Sequence, residues 1–251
     1  MRVLAIDTAL EACSAAVLDT DPPPPSSLPS AACGEGLGRG ARAGREGGRL
    51  TVRSLPMVRG HAEALVPLIA TVMSEANIEF SELDRVAVTV GPGSFTGLRV
   101  GVAAARGIAL AAGKPAVGLT TLAALAAPFF EADDRTPLLA AIDARHDRVY
   151  MQLFGPRGRS LIAPRITSIR NAIGAATASP TRIVGNAAKL IEAAWPEYEQ
   201  KPRLVRTMPA PDVAWVAKLG AATQDLTSPV RPLYLSDADA YPQEAGILPR
   251  R

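Results

Sequence analysis

The sequence predicts an α/β protein of two related lobes, each a mixed β-sheet flanked by helices. Three observations carry this. The tripeptide Ala-Ile-Asp occurs at residues 5–7 and again at 141–143, each time ending a strand and opening a hairpin turn. Strand and helix periodicities follow each hairpin. A chain of 251 residues, 48 % hydrophobic and 20 % charged, can bury a sizeable core and is not disordered throughout.

The elements follow in order. Residues 2–8 and 13–19 are apolar, β-branched runs that read as a hairpin. Residues 21–48 then hold five Pro, seven Gly and three Ser with no hydrophobic period, which predicts an exposed, disordered insertion. Residues 49–55 alternate and read as a third strand. Leu65, Leu68, Ile69, Val72 and Ala76 share one helical face. A strand over 85–90 runs into Gly91-Pro-Gly-Ser-Phe-Thr-Gly97, and an Ala-rich helix over 98–112 ends at Gly113. A strand over 115–119 and a helix over 121–131 close the first half. The second half offers a hairpin over 138–143 and 148–154. It continues with helices near 168–177, 187–194 and 213–223, a strand at 182–184 and an extended 232–235. The predicted organisation is an N-terminal lobe over 1–115 and a C-terminal lobe over 116–235. The last helix is free to pack back on the first lobe, and 236–251 form a flexible tail.

Charge narrows the function classes. The net charge is +3 and the pI about 9.1, which alone suggests an acidic partner. However, 23 Arg against 4 Lys, with 46 Ala, is a skew that base composition produces. Residues 21–50 hold four Arg against three acids, so the remainder is nearly balanced. Two cysteines, Cys13 and Cys33, make no disulfide framework and point to a reducing, cytoplasmic setting. Cys13 reads as a buried structural thiol. The N-terminus lacks a signal-peptide pattern. No uninterrupted apolar stretch reaches the roughly 20 residues of a membrane span.

Several residues are candidates for chemistry. The glycine loop sits between strand and helix, so Gly91, Gly93, Ser94 and Gly97 can lie beside a phosphate, or simply form a turn. The spacing fits neither a P-loop nor a dinucleotide fingerprint. Asp7, Thr8 and Asp143 stand at strand ends. A phosphotransferase would use such carboxylates to hold a metal or orient a nucleophile; capping the turn is the alternative. Neither hairpin turn contains glycine. His61 opens a helix, but its i+4 position is Leu65, and the chain has only one other histidine, His146, so a multi-histidine metal centre cannot be assembled. His61 is expected to face solvent or a partner. Gly101, Ala104, Ala105 and Ala109 make the 98–112 helix small-sided, suited to core packing or to a second chain. Arg99 and Arg106 would flank it.

Taken together, Leu4-Ala-Ile-Asp-Thr-Ala9 with Glu11-Ala-Cys-Ser14, His61-Ala-Glu-Ala-Leu65, Gly91 to Gly101 and Ala141-Ile-Asp-Ala-Arg145 resemble the TsaB (YeaZ) family. The similarity covers residues 2–19 and about 50–154 closely. It implies a two-lobed actin-like, sugar-kinase-like ATPase fold. It also implies a non-catalytic subunit that activates TsaD in threonylcarbamoylation of the adenosine beside the anticodon. The implied partners are TsaD as a heterodimer, TsaE, and a second copy when alone, with tRNA reached only through the complex and no membrane. No metal and no cofactor of its own are implied, with ATP or ADP at the complex. TsaD-type chains carry His-x-x-x-His where this chain has His61 and Leu65. The implied partner surface includes His61, Glu63, Leu65, Leu68, Arg99, Val100, Ala103, Ala104 and Arg106. Competing expectations are a stand-alone ATPase or kinase, a glycoprotease-like peptidase, and an RNA-binding module built on the basic insertion.

Overall fold

Continuous apolar runs, buried on both faces, build the centre of the first sheet. The computed structural model describes residues 1–20, 48–132 and 135–235. The expected insertion and tail lie outside the described residues, apart from Gly48. Strands β1 (Arg2–Asp7) and β2 (Ala12–Asp19) pair antiparallel, with Asp7 opposite Ser14. β3 (Arg49–Pro56) adds to β2 as an antiparallel edge. Helix α1 (His61–Ala76) leads to β4 (Arg85–Gly91), parallel to β1. Helix α2 (Phe95–Ala112) leads to β5 (Ala116–Thr120), parallel to β4.

The expected helix over 121–131 divides into α3 (Thr121–Ala126) and α4 (Pro128–Ala132). Pro128 lacks an N–H and so begins a helix more readily than it continues one. The second sheet contains β6 (Leu138–Asp143), β7 (Arg148–Phe154) and β8 (Ser160–Ser168). Then come α5 (Ile169–Ala176), β9 (Arg182–Val184), α6 (Ala188–Ala193), β10 (Leu204–Arg206) and α7 (Val213–Ala222).

The two sheets share one plan. Their orders are β3-β2-β1-β4-β5 and β10-β9-β6-β7-β8. Each has a central strand in an antiparallel hairpin, a third antiparallel strand beyond it, and two parallel strands on the other side. This is the doubled α/β architecture that the repeated Ala-Ile-Asp foretold, two lobes with a mixed five-stranded sheet each. β8 and β10 were not foreseen. β8 carries Pro164, which an edge strand tolerates, and β10 is only three residues long.

Val3 and Ala5 face a core shared with α7 and α3, and that core continues to Leu138, Ile142 and Phe154 of the second sheet. Leu4, Ile6, Cys13 and Val17 face the opposite way, against α1 and α2. A third cluster joins the far side of the second sheet to α5 and α6. By length and composition α2 could cross a membrane. Here its inner face, including Leu98, Val102 and Ala105, is buried on the sheet.

Helix α7 lies on the first sheet although it comes late in the chain. Gly220 allows this, since a Cβ there would overlap the Ala87 side chain. The Arg85 guanidinium then donates to the carbonyls of Gly220 at 3.0 Å and Thr223 at 2.7 Å, satisfying the C-terminal turn of α7. Arg85→Ala should therefore lower unfolding stability by about 2 kcal/mol and speed amide exchange in the last turn of α7. An unchanged urea midpoint would show that α7 is held by apolar packing alone.

Candidate functional site

The end of β1, the start of α2 and the loop between β4 and α2 meet at one point. Asp7 is fully buried. Its Oδ1 accepts from Thr89 Oγ1 at 2.6 Å and from the Ala9 amide at 3.3 Å, while Oδ2 has no partner. Burial pushes its carboxyl up to about 6, against the pull of both hydrogen bonds. Thr8 Oγ1 donates to the Gly97 carbonyl at 2.7 Å.

The glycine loop packs onto this turn. A Cβ at Gly93 would overlap the Ala9 carbonyl, one at Gly97 the Thr8 carbonyl, and one at Gly101 the Thr8 hydroxyl. The glycines serve close backbone approach between two parts of the chain. Three amides that a phosphate would need are committed elsewhere. Ser94 donates to the Ala9 carbonyl at 2.7 Å, Gly97 to Ser94 Oγ at 3.3 Å and Leu98 to the Ser94 carbonyl at 2.9 Å. Gly91, at φ 123°, turns the chain out of β4, and its neighbour Leu233 donates to the Val90 carbonyl at 2.7 Å. These three amides are therefore closed to a nucleotide phosphate at this loop.

Asp143 occupies the matching strand end in the second lobe but is exposed. Its Oδ1 accepts from the Arg145 amide at 2.7 Å, and its own amide donates to Asn186 Oδ1 at 2.8 Å. Asp143 thus forms its own turn. Among the described residues no group of three His, Cys, Asp or Glu side chains is placed to hold a metal. Cys13 is buried; its thiol is pushed up to about 11 by burial and then by the charge of Asp7.

The residues expected on a partner surface divide in two. Leu65 and Leu68 belong to the core beneath α1, because they lie on the same stripe as Ile69 and Val72. His61 is also buried, with Nε2 unpartnered, and does not face solvent. Glu63, Arg99, Ala103 and Arg106 are exposed. Val100 and Ala104 are half-buried against the core and line the flank of α2. The outward faces add residues that the sequence motifs did not single out. Val66 is 65 % exposed and Leu110 84 % exposed, and Gly107 has open space around it. Arg99 lies 3.8 Å over the Phe95 ring and donates to the Tyr234 hydroxyl at 3.1 Å, joining α2 to the segment after α7.

The family described as "TsaD: tRNA N6-adenosine threonylcarbamoyltransferase" matches residues 56–240. The chain belongs to this family, in its TsaB (YeaZ) group. The TsaB protein of Escherichia coli K12, named for tRNA threonylcarbamoyladenosine biosynthesis, is 31 % identical over 150 residues, 60 % of this chain and 53 % of that protein. The chain thus spans about half the length of the curated TsaB relatives it matches. A Mycobacterium tuberculosis protein described as uncharacterized is 31 % identical over 199 residues, covering 78 % of this chain and 82 % of its own. YeaZ from Pseudomonas aeruginosa has the same fold, with a TM-score of 0.69 at 24 % identity over 93 % of this chain and 99 % of that one.

The buried Asp7 gives this chain a measurable signature. Its folded-state carboxyl titrates above the ordinary value of 3.8. Folding therefore favours the protonated form, and Asp7's contribution to stability is lost as pH rises from about 4 through 6. Replacing it by Asn removes the charge. Relative to Asp7→Asn, the wild type should lose on the order of 3 kcal/mol between pH 4 and pH 7. Urea unfolding of both proteins at the two pH values checks this, and a pH-independent difference contradicts it.

Proposed function

We propose that this chain is a non-catalytic subunit that binds a TsaD-type transferase and supports threonylcarbamoylation of tRNA. The observation that carries the proposal is the outward face of α1 and α2. It presents Ala62, Val66 and Ala70 beside Ala103, Gly107 and Leu110, small and apolar residues open to solvent on two adjacent helices. Small residues let a second pair of helices approach closely. Glu63, Arg99 and Arg106 flank this face as a polar rim.

The expected catalytic positions support the same conclusion. The second histidine of a metal pair would fall at Leu65, which is buried under α1. The Ser94, Gly97 and Leu98 amides at the glycine loop are spent on the chain itself. ATP or ADP would therefore act at the assembled complex, through groups of the partner proteins, with this chain supplying surface. TsaE would join through the same assembly. The names of the TsaB relatives point to the same pathway.

Gly107 sharpens the test. An exposed glycine inside a helix costs roughly 0.5–1 kcal/mol relative to alanine. Gly107→Ala should raise the thermal midpoint of the isolated chain, yet weaken association if another helix approaches there. Leu110→Asp and Ala103→Arg should leave the midpoint within about 2 °C of wild type and raise the Kd for the TsaD-type transferase at least tenfold. Val100 and Ala104 are poorer choices, since a charge there also disturbs the core. In reconstituted modification of tRNA, the two exposed variants should lower product formation at limiting subunit concentration. Full modification by the transferase set without this chain would overturn the proposal.

A further inference from the structure

A groove of about 680 Å³ runs between the C-terminal half of α2 and the segment after α7. It continues the α2 face described above but differs from it in charge. Arg106, Lys114 and Arg231 line it, and among the described residues no carboxylate does. Among the described residues none of the three has a carboxylate partner. Lys114 lies just past the C-terminus of α2, where a cation meets the helix dipole favourably. That account does not extend to Arg106, well inside the helix, or to Arg231, on another segment.

The wall carrying Arg231 is built in advance. The Asp225 carboxylate accepts from the Ser228 hydroxyl at 2.5 Å, the Thr227 amide at 2.9 Å, the Thr227 hydroxyl at 2.8 Å and the Ser228 amide at 3.2 Å, and these bonds, the Ser228 hydroxyl's first, hold it well below the usual carboxylate range. Asp225, the one acid among the described residues after α7, is thus spent on the turn. Val230 is buried and Leu233 is hydrogen-bonded to Val90, so the segment is tied to the sheet on both sides of Arg231. Beside the cations stand two leucines, Leu110 at 84 % exposure and Leu226 at 38 %.

Cations with exposed leucines describe an occupant that is both acidic and apolar. Nucleic acid would satisfy the cations and leave the leucines in water, and among the described residues no aromatic ring lines the groove for bases to stack on. We propose that the groove receives an acidic protein segment bearing an apolar side chain, contributed by the partner that covers the α1–α2 face. This rests on the docking role proposed above and adds a second, charge-dependent contact to it.

The test is titration of purified TsaD-type transferase from the same organism against the full chain, by calorimetry at several salt concentrations. The variants are Arg106→Glu/Lys114→Glu/Arg231→Glu, the single Arg231→Glu, and Arg170→Glu on α5 as a charge control. Thermal midpoints of all variants establish folding. The triple variant should raise Kd at least tenfold and flatten the dependence of log Kd on log salt. Arg231→Glu should do so partially and Arg170→Glu not at all. Wild-type binding with unchanged affinity and salt slope in the triple variant would overturn the groove proposal and leave the helix-face proposal standing. No binding by the wild type would overturn both. Loss of tRNA binding in the triple variant, with transferase binding intact, would reassign the groove to RNA.

Discussion

The close approach of α2 to the turn after β1 is the constraint on which the rest depends. Gly93, Gly97 and Gly101 are spaced four apart and meet Thr8 and Ala9 in succession. Gly97 and Gly101 lie on one side of α2 and Gly93 in the loop just before it, so three absent side chains open a continuous channel for the turn. The turn then seals Asp7 beneath it and takes a hydrogen bond from the Ser94 amide. It also fixes which way α2 points. With Leu98, Val102 and Ala105 directed at the sheet, Ala103, Gly107 and Leu110 must face outward. The exposed small-sided face and the commitment of the Ser94 amide to Ala9 are thus two results of one packing event.

Much of this architecture was legible from residue patterns. The Ala-Ile-Asp repeat, the period-2 strands and the α1 stripe each correspond to observed elements, because burial on both sheet faces leaves a strong apolar signal. The weaker signals were at the edges. Pro164 concealed β8, and three residues are too few for β10 to show a period. The site was less legible. A glycine in sequence reports that a Cβ is unwelcome, but not whether a ligand or the chain itself fills the space. At Gly93, Gly97 and Gly101 the neighbour is Thr8–Ala9, some ninety residues away, and only the fold brings it there. Likewise Leu65 and Leu68 carry one apolar signal that serves core and interface alike. Their burial decides for the core.

The segment after α7 also becomes intelligible only in three dimensions. Helix α7 packs on one face of the first sheet, and Arg85 closes its end. The chain then passes to the opposite face, where Val230 joins the α1–α2 core and Tyr234 stacks on Phe95 at a centroid distance of 5.2 Å. The late part of the chain therefore braces both the sheet and α2. A helix whose outward face is to meet another protein gains from such bracing, since less ordering remains to be done on binding.

The two lobes share a strand plan but treat equivalent residues differently. Asp7 and Asp143 both end the central strand of their sheet. One is sealed in the core with an unpaired oxygen, and the other forms its own turn at the surface. The turn after Asp143 holds Arg145, His146 and Asp147 at φ values of 62°, 50° and 56°, a left-handed run without glycine. Side chains on that backbone crowd their own carbonyls, unlike the glycines that let a backbone approach a phosphate. Paired carboxylates act together only when both reach the same ligand with their oxygens free. Here one is inaccessible and the other faces a turn whose residues carry side chains at every position. The two lobes thus share the strand framework, which in the first lobe positions α2, and differ in how their strand ends present a carboxylate. What the framework still exposes is a surface, and a surface acts by what binds to it.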